Sequence, residues 1–308
     1  MKTLGIYILL MAVLLGSSCK KELQVSSLDN FEVSLSKNKY NVGEPVELNF
    51  GGEADYIYFY SGEVGYNYDS RGGRTISIDK VKLSFNSAKA IGAQANQLSV
   101  LVSNDFNGDY SSLNVIKNAT WTDVSSRFTL ATNATATPSG VADLSDFKVA
   151  GKPIYIAYKY LTKPQNINGL GTTWTITGFS LLAETSIGNQ NIADMFNSGF
   201  RIIDPYKDTT PAQSSITTTR FTFLSNLYDA TIDPETEHWG VSKAIDTETL
   251  NLGKDKATAI KSMATSGIKQ YKYTYAKAGN YTIYVVAKNQ NIYEQKEVVK
   301  KLEITIYN

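Results

Sequence analysis

The one histidine of this 308-residue chain, His238, stands in Glu235-Thr236-Glu237-His238-Trp239, so an imidazole, two carboxylates and an indole share five residues. A histidine works as a general base when a carboxylate orients it and a nucleophile lies within hydrogen-bonding reach. Serines are plentiful, but no Gly-x-Ser-x-Gly turn presents one. The same five residues also read as a loop entering a strand, with Trp239 packed on a core. A second group, Asp105, Asn107 and Asp109, places oxygen-bearing side chains at alternate positions after an apolar run, a spacing that lets one loop wrap a calcium ion. Tyr110 and Ile116 stand where an EF-hand would carry glycine and glutamate, and a polar turn accounts for the same residues. A glycosidase needs only two carboxyl groups about 5–10 Å apart. With 29 Asp and Glu, no pair is singled out.

Aromatic residues give a different kind of signal: 20 tyrosines and 3 tryptophans, some of them in turn-rich stretches. Sugar rings present C–H faces that stack on exposed aromatic rings while nearby polar side chains bond the hydroxyls. Tyr66, Tyr68, Tyr110, Trp121, Tyr228 and Trp239 are the candidates for such contacts, and packing at strand ends is the competing explanation for each. Tyr66-Asn67-Tyr68-Asp69 is the most promising cluster.

The single cysteine, Cys19, follows Lys2, an apolar run from Leu4 through Leu15, and the small residues Gly16, Ser17 and Ser18. That layout predicts a cleaved export signal over 1–18. The run is shorter than the roughly 20 residues of a membrane span, and Cys19 becomes the lipid-bearing first residue. A polar tether over 19–29 would then let the folded part stand off an outer membrane, facing outward. With that thiol acylated, none remains for disulfides or zinc. Lys and Arg number 30 against 29 acidic residues, a balance that argues against nucleic-acid binding. No cofactor motif is evident, a structural calcium ion at Asp105, Asn107 and Asp109 being the one exception considered.

Positioning these residues requires strands. Phe31, Val33 and Leu35 alternate with polar neighbours, as do Val46, Leu48 and Phe50. Tyr56-Ile57-Tyr58-Phe59-Tyr60 is a third run. Near the other end Tyr271, Tyr273 and Tyr275 alternate, and Ala278-Gly279-Asn280 leads into Tyr281 through Ala287, with a last run from Val298 to Ile306. Neither end alone buries enough apolar surface to offset chain entropy. Joined, they suit one sandwich. The fold expected is therefore all-β: a discontinuous immunoglobulin-like sandwich over 30–72 plus 228–308, with a jelly-roll-like sandwich inserted over 73–227. Strands within the insert are expected at Ile76–Phe85, Leu98–Ser103, Pro153–Tyr160, Thr173–Leu182 and Ile216–Leu224. Lys256–Met263 is the one segment suited to a short helix.

The stretch from Tyr271 to Asn289 resembles the last strands of a polycystic-kidney-disease-type immunoglobulin-like domain, in which a tyrosine after the Ala-Gly turn, here Tyr281, packs at the sandwich corner. Leu98–Asp105, Ala119–Asp123, Ile154–Tyr160 and Thr173–Phe179 are similar to jelly-roll modules of Bacteroidetes surface proteins. Together with the signal, the chain resembles a family of Bacteroidetes lipoproteins of unassigned function encoded in polysaccharide utilisation loci beside SusC-like and SusD-like proteins. Asp208-Thr209-Thr210 resembles an O-glycosylation site of that phylum. The resemblance implies non-catalytic capture of a polysaccharide or oligosaccharide for an outer-membrane importer. An adhesion module binding a partner protein is the runner-up, and a glycosidase or other hydrolase is third.

Overall fold

A computed structural model describes residues 24–90, 92–205, 214–225 and 234–308. Cys19, Tyr228 and Asp208-Thr209-Thr210 lie outside the described residues. In chain order the strands are β1 (Glu32–Leu35), β2 (Lys39–Asn41), β3 (Pro45–Gly51), β4 (Tyr56–Tyr60), β5 (Arg74–Lys89), β6 (Leu98–Ser103), β7 (Thr122–Asp123), β8 (Thr137–Pro138), β9 (Ala142–Asp143), β10 (Tyr155–Thr162) and β11 (Trp174–Thr185). They continue as β12 (Gly188–Asp194), β13 (Arg201–Ile203), β14 (Ser215–Ile216), β15 (Arg220–Phe223), β16 (Thr236–Val241), β17 (Thr249–Gly253), β18 (Thr258–Lys261), β19 (Gln270–Thr274), β20 (Gly279–Gln290) and β21 (Gln295–Tyr307). The fold is all-β.

Contacts divide the chain into a first unit, residues 1–74 with 253–308, and a second, 75–252. The first unit is a sandwich of two sheets, β1-β3-β19 and β18-β4-β20-β21-β2. Strand alternation builds its core: Val46, Leu48 and Phe50 of β3 face Ile57 and Phe59 of β4 and Ile283, Val285 and Ala287 of β20. Each of these side chains except the smaller Ala287 contributes about 1.5–3 kcal/mol on leaving water. β2 runs parallel to β21 while the other pairings of this unit are antiparallel, an immunoglobulin-like arrangement. Tyr281 opens the inner run of β20 and its hydroxyl donates to the Lys277 carbonyl at 3.0 Å, the corner bond that such sandwiches use. Its ring packs on Tyr275, 4.3 Å between centroids.

The second unit stacks β13-β16-β10-β6-β7 on a larger sheet built along β14-β15-β11-β5-β17, with β12 paired to β11 and β8 and β9 paired to β5. Its core includes Leu83, Phe85, Val100, Ile156, Tyr158, Tyr160, Ile176, Leu181, Phe221 and Phe223. Strand β16 pairs with β10 from Ala157↔Val241 to Thr162↔Thr236. The insert therefore ends at 252, not 227, because β16 and β17 find their partners inside it. Lys256–Met263 carries strand β18 at the edge of the first unit rather than a helix, since pairing with β4 supplies its backbone partners. Ile216–Leu224 is two short strands with a turn between them, closed by Thr217 N–H donating to the Arg220 carbonyl at 2.9 Å.

The expected tether also differs. Val25 and Leu28 are buried on the first unit, and Lys296 Nζ donates to the Val25 carbonyl at 2.7 Å. Asn289 Nδ2 donates to the Ser26 carbonyl at 3.0 Å. Apolar residues at 25 and 28 make docking favourable, so the chain from Val25 onward is part of the sandwich.

Tyr275 ties the last strands to the loop that follows β4: its buried hydroxyl donates to the Ser61 carbonyl at 2.7 Å. Tyr275→Phe keeps the ring and orphans that carbonyl, so the urea midpoint should fall by the equivalent of about 1–2 kcal/mol. An unchanged midpoint would mean that the bond contributes nothing.

Candidate functional site

Strand β4 explains where its tyrosines go. With a side-chain period of two, burying Ile57 and Phe59 turns Tyr56, Tyr58 and Tyr60 to the opposite face of the sheet, each half-buried. β20 is antiparallel beside it, with Tyr284↔Tyr60, Val286↔Tyr58 and Lys288↔Tyr56 in register. Tyr56 and Tyr58 lie nearly parallel, 6.5 Å apart with 7° between planes.

The loop from Ser61 to Gly73 adds to this face. Gly62 starts it at φ +85°, and a Cβ there would come 2.5 Å from the Thr282 carbonyl oxygen of β20, so only glycine lets the loop leave so close to the sheet. A 3-10 turn at Tyr68–Ser70 follows, its Asp69 amide capped by Asn67 Oδ1. The turn sets Tyr68 edge-on to Tyr60 at 5.3 Å and stacked on Tyr284 at 4.7 Å. The Arg71 guanidinium lies 3.8 Å over the Tyr68 ring and donates to the Tyr68 carbonyl at 2.9 Å. The result is a groove of about 280 Å³ whose walls include Tyr58, Tyr60, Tyr68, Arg71, Lys288 and Glu297. At its far side Lys288 pairs with Glu297 at 2.8 Å. Three rings, Val286 and Ala257 give the lining its apolar part, and Arg71, Lys288 and Glu297 add hydrogen-bonding groups of both signs. Burial raises the Tyr60 hydroxyl above its ordinary pKa, and burial, with Asp69 nearby, does the same to Tyr284, so both remain neutral donors at neutral pH.

Asp255 anchors this loop. Its carboxylate accepts from Arg74 Nε at 3.0 Å and Arg74 Nη2 at 2.6 Å, and from the Asn67 amide at 2.9 Å, while its own amide donates to the Ser70 carbonyl. The Arg74 guanidinium, first, holds the carboxyl below its ordinary pKa against the opposing effect of burial.

Of the residues nominated from sequence, Tyr68 lies at the centre of this face. Tyr66 is 45% exposed on the same loop but does not line the groove. Tyr56, Tyr58, Tyr60, Tyr284, Arg71 and Lys288 were not nominated, although Tyr-x-Tyr-x-Tyr alternating with core residues on β4 marks an outward aromatic row.

The second unit holds the others. Trp239 is 3% exposed and packs on Trp121 at 5.3 Å, with its indole N–H donating to Glu237 at 2.5 Å. It is a core residue, which corrects its nomination as a sugar contact. Trp121 bonds the Ile116 carbonyl and Tyr110 the Ser242 carbonyl at 2.7 Å; both rings pack on Phe106, and Arg201 covers Tyr110. Asp105, Asn107 and Asp109 each accept a backbone amide, from Thr120, Asp109 and Ser111 at 2.8–2.9 Å. The bonds of Asn107 and Asp109 are those of a self-capped polar turn, and that of Asp105 ties the turn to Thr120. Among the described residues there is no cluster of three His, Cys, Asp or Glu side chains able to hold a metal ion.

His238 is fully buried, and its Nδ1 lies 2.7 Å from Ser214 Oγ. Asp204 Oδ1 stands 3.6 Å from Nε2. Burial lowers the imidazole pKa, with Asp204 opposing, so the ring is neutral at pH 7. With its proton on Nε2, the ring can accept the serine hydroxyl at Nδ1. Ser214 and Asp204 line a depression of about 420 Å³.

Removing Asp255 leaves Arg74 unpaired in a site where its side chain is 16% exposed. Asp255→Ala should cost about 3 kcal/mol. Because the folded carboxyl titrates below the unfolded value of about 3.9, the pair contributes fully above that pH and is lost as pH falls through the lower folded value. Urea titrations should show the gap between wild type and variant closing below the ordinary carboxylate range; a gap independent of pH would refute the assignment.

Residues 18–200 match the family model of a domain of unknown function, DUF5017. That span takes in β1–β4 of the first unit and β5–β12 of the second. No curated protein and no solved structure matches the chain. With well over half its length matched, from the tyrosine strand β4 through most of the inserted sandwich, the chain belongs to the DUF5017 family.

Proposed function

We propose that this chain is a non-catalytic lipoprotein of the cell envelope, acylated at Cys19, that binds a glycan on the tyrosine face of its first unit. The observation that carries this reading is the groove between Tyr58, Tyr60 and Tyr68, with Arg71, Lys288 and Glu297 at its rim. Flat rings held edge-on and stacked against one another lose little freedom on binding, which favours affinity from a small contact. Charged groups of both signs suit the donor and acceptor hydroxyls of a sugar. In this reading the ligand is a short stretch of a polysaccharide or an oligosaccharide, held at the outer-membrane surface for a neighbouring SusC/SusD-like importer.

Affinity electrophoresis against a polysaccharide panel tests the proposal. Wild type should be retarded by at least one glycan, and Tyr58→Ala or Tyr68→Ala should weaken retention about tenfold, on the order of 1.4 kcal/mol. No retention by any glycan, or full retention by both variants, would count against this face.

A second reading, acyl-ester hydrolysis, is favoured by Ser214, His238 and Asp204, which bring a hydroxyl, a neutral base and a nearby carboxylate together. It predicts that a fluorophosphonate labels Ser214 and that Ser214→Ala abolishes the label. Unlabelled protein would leave the triplet as a buried polar network.

A further inference from the structure

The end of the first unit that receives the amino-terminal segment also carries its most exposed apolar side chains. Ile292 and Tyr293, at the tip of the β20–β21 hairpin, are 87% and 82% exposed, and Met263, after β18, is 58% exposed. Pairing places them together: Lys288 of β20 and Lys261 of β18 lie beside Tyr56 and Ile57 at the start of β4, so the loops that follow both strands emerge at that end. The chain arrives there too. The Val25 amide donates to Glu294 at 3.5 Å, Lys296 donates to the Val25 carbonyl, and Asn289 holds Ser26.

Those bonds limit the reach of an anchor at Cys19. Six residue steps separate it from Val25, and a fully extended chain covers roughly 3.3–3.6 Å per residue, about 20 Å in all. A lipid at Cys19 would keep the hairpin tip within that distance of the bilayer. Ile and Tyr side by side on a turn, flanked by Asn291 and Glu294, suit the boundary between headgroups and acyl chains, where tyrosine is enriched and an apolar neighbour leaves water.

We propose that the Ile292-Tyr293 tip is a second membrane contact, inserting into the headgroup region of the phospholipid leaflet that holds the Cys19 lipid. The contact would give the anchored unit a fixed orientation. The groove then opens along the side of the sheet away from the tip: Lys288 at its near wall lies two residues up β20 from Gln290, about 7 Å at strand rise, and Tyr284, which stacks on Tyr68, lies six residues up, about 20 Å. The inference rests on the lipid-anchor reading.

The experiment uses full-length lipidated protein in vesicles of phosphatidylethanolamine and phosphatidylglycerol. Acylation occupies the thiol of the only native cysteine, so Tyr293→Cys offers a single site for an environment-sensitive dye. Lys277→Cys, exposed beyond the other end of β20, is the control. Circular dichroism melts matching wild type establish that both variants fold. The expected result is a blue-shifted dye at 293, quenched several-fold more by brominated lipid than the dye at 277. Water-like emission at 293 in acylated, vesicle-bound protein overturns the proposal while leaving the anchor intact. A blue shift that bromolipid does not quench and that grows with protein concentration overturns it in favour of contact between copies. An intact mass lacking acyl groups on Cys19 removes both the anchor and this contact.

Discussion

Strand β4 can occupy the middle of its sheet only because β18 and β20, from the far end of the chain, close on both its edges. Everything on the tyrosine face follows from that closure. It fixes which side of β4 is buried, it brings Tyr284 beside Tyr60, and it sets Asp255 where Arg74 and Asn67 meet it. A strand of Tyr-Ile-Tyr-Phe-Tyr left at an open edge would be an aggregation hazard; enclosed, it becomes a rigid platform. The Asp255–Arg74 pair extends the same logic to the loop, because it joins a residue before the insert to one after it.

Much of this was legible in the sequence. Period-two alternation located β1, β3, β4, β19, β20 and β21, and the resemblance to a polycystic-kidney-disease-type domain placed Tyr281 at the sandwich corner. The need for two short ends to share a core identified the discontinuous sandwich. What alternation does not encode is the partner. β16 reads as a good strand in either unit, and only its register with β10 assigns it to the insert. Lys256–Met263 shows the same limit, since its helix-compatible composition yields to pairing with β4.

The site was half visible for a related reason. Tyr68 was found because it sits in a turn, where aromatic residues look out of place. Tyr58 and Tyr60 carry no such signal, because a strand offers a packing explanation for every ring. The deciding fact is which face of the sheet is covered, a property of topology. Trp239 illustrates the converse error: its size and its polar neighbours resemble a sugar platform, yet β16 carries it under the loop of Phe106 and Trp121, where its ring fills volume. His238 is similar. Its neighbours in space, Ser214 and Asp204, are separated from it along the chain, so its sequence neighbours Glu235 and Glu237 do not reveal them.

The chain leaves the first unit within β5 and re-enters it within β17, and these two strands are neighbours in one sheet, with Ile78 N–H bonded to the Glu248 carbonyl. For the first sandwich, the whole second unit is thus equivalent to the connection of a β-hairpin. An unstructured connection of that length would impose a loop-closure entropy growing with the logarithm of its length. A second unit that folds early brings 74 and 253 to adjacent positions and removes most of that term. The immunoglobulin-like halves then associate nearly as if a short turn joined them.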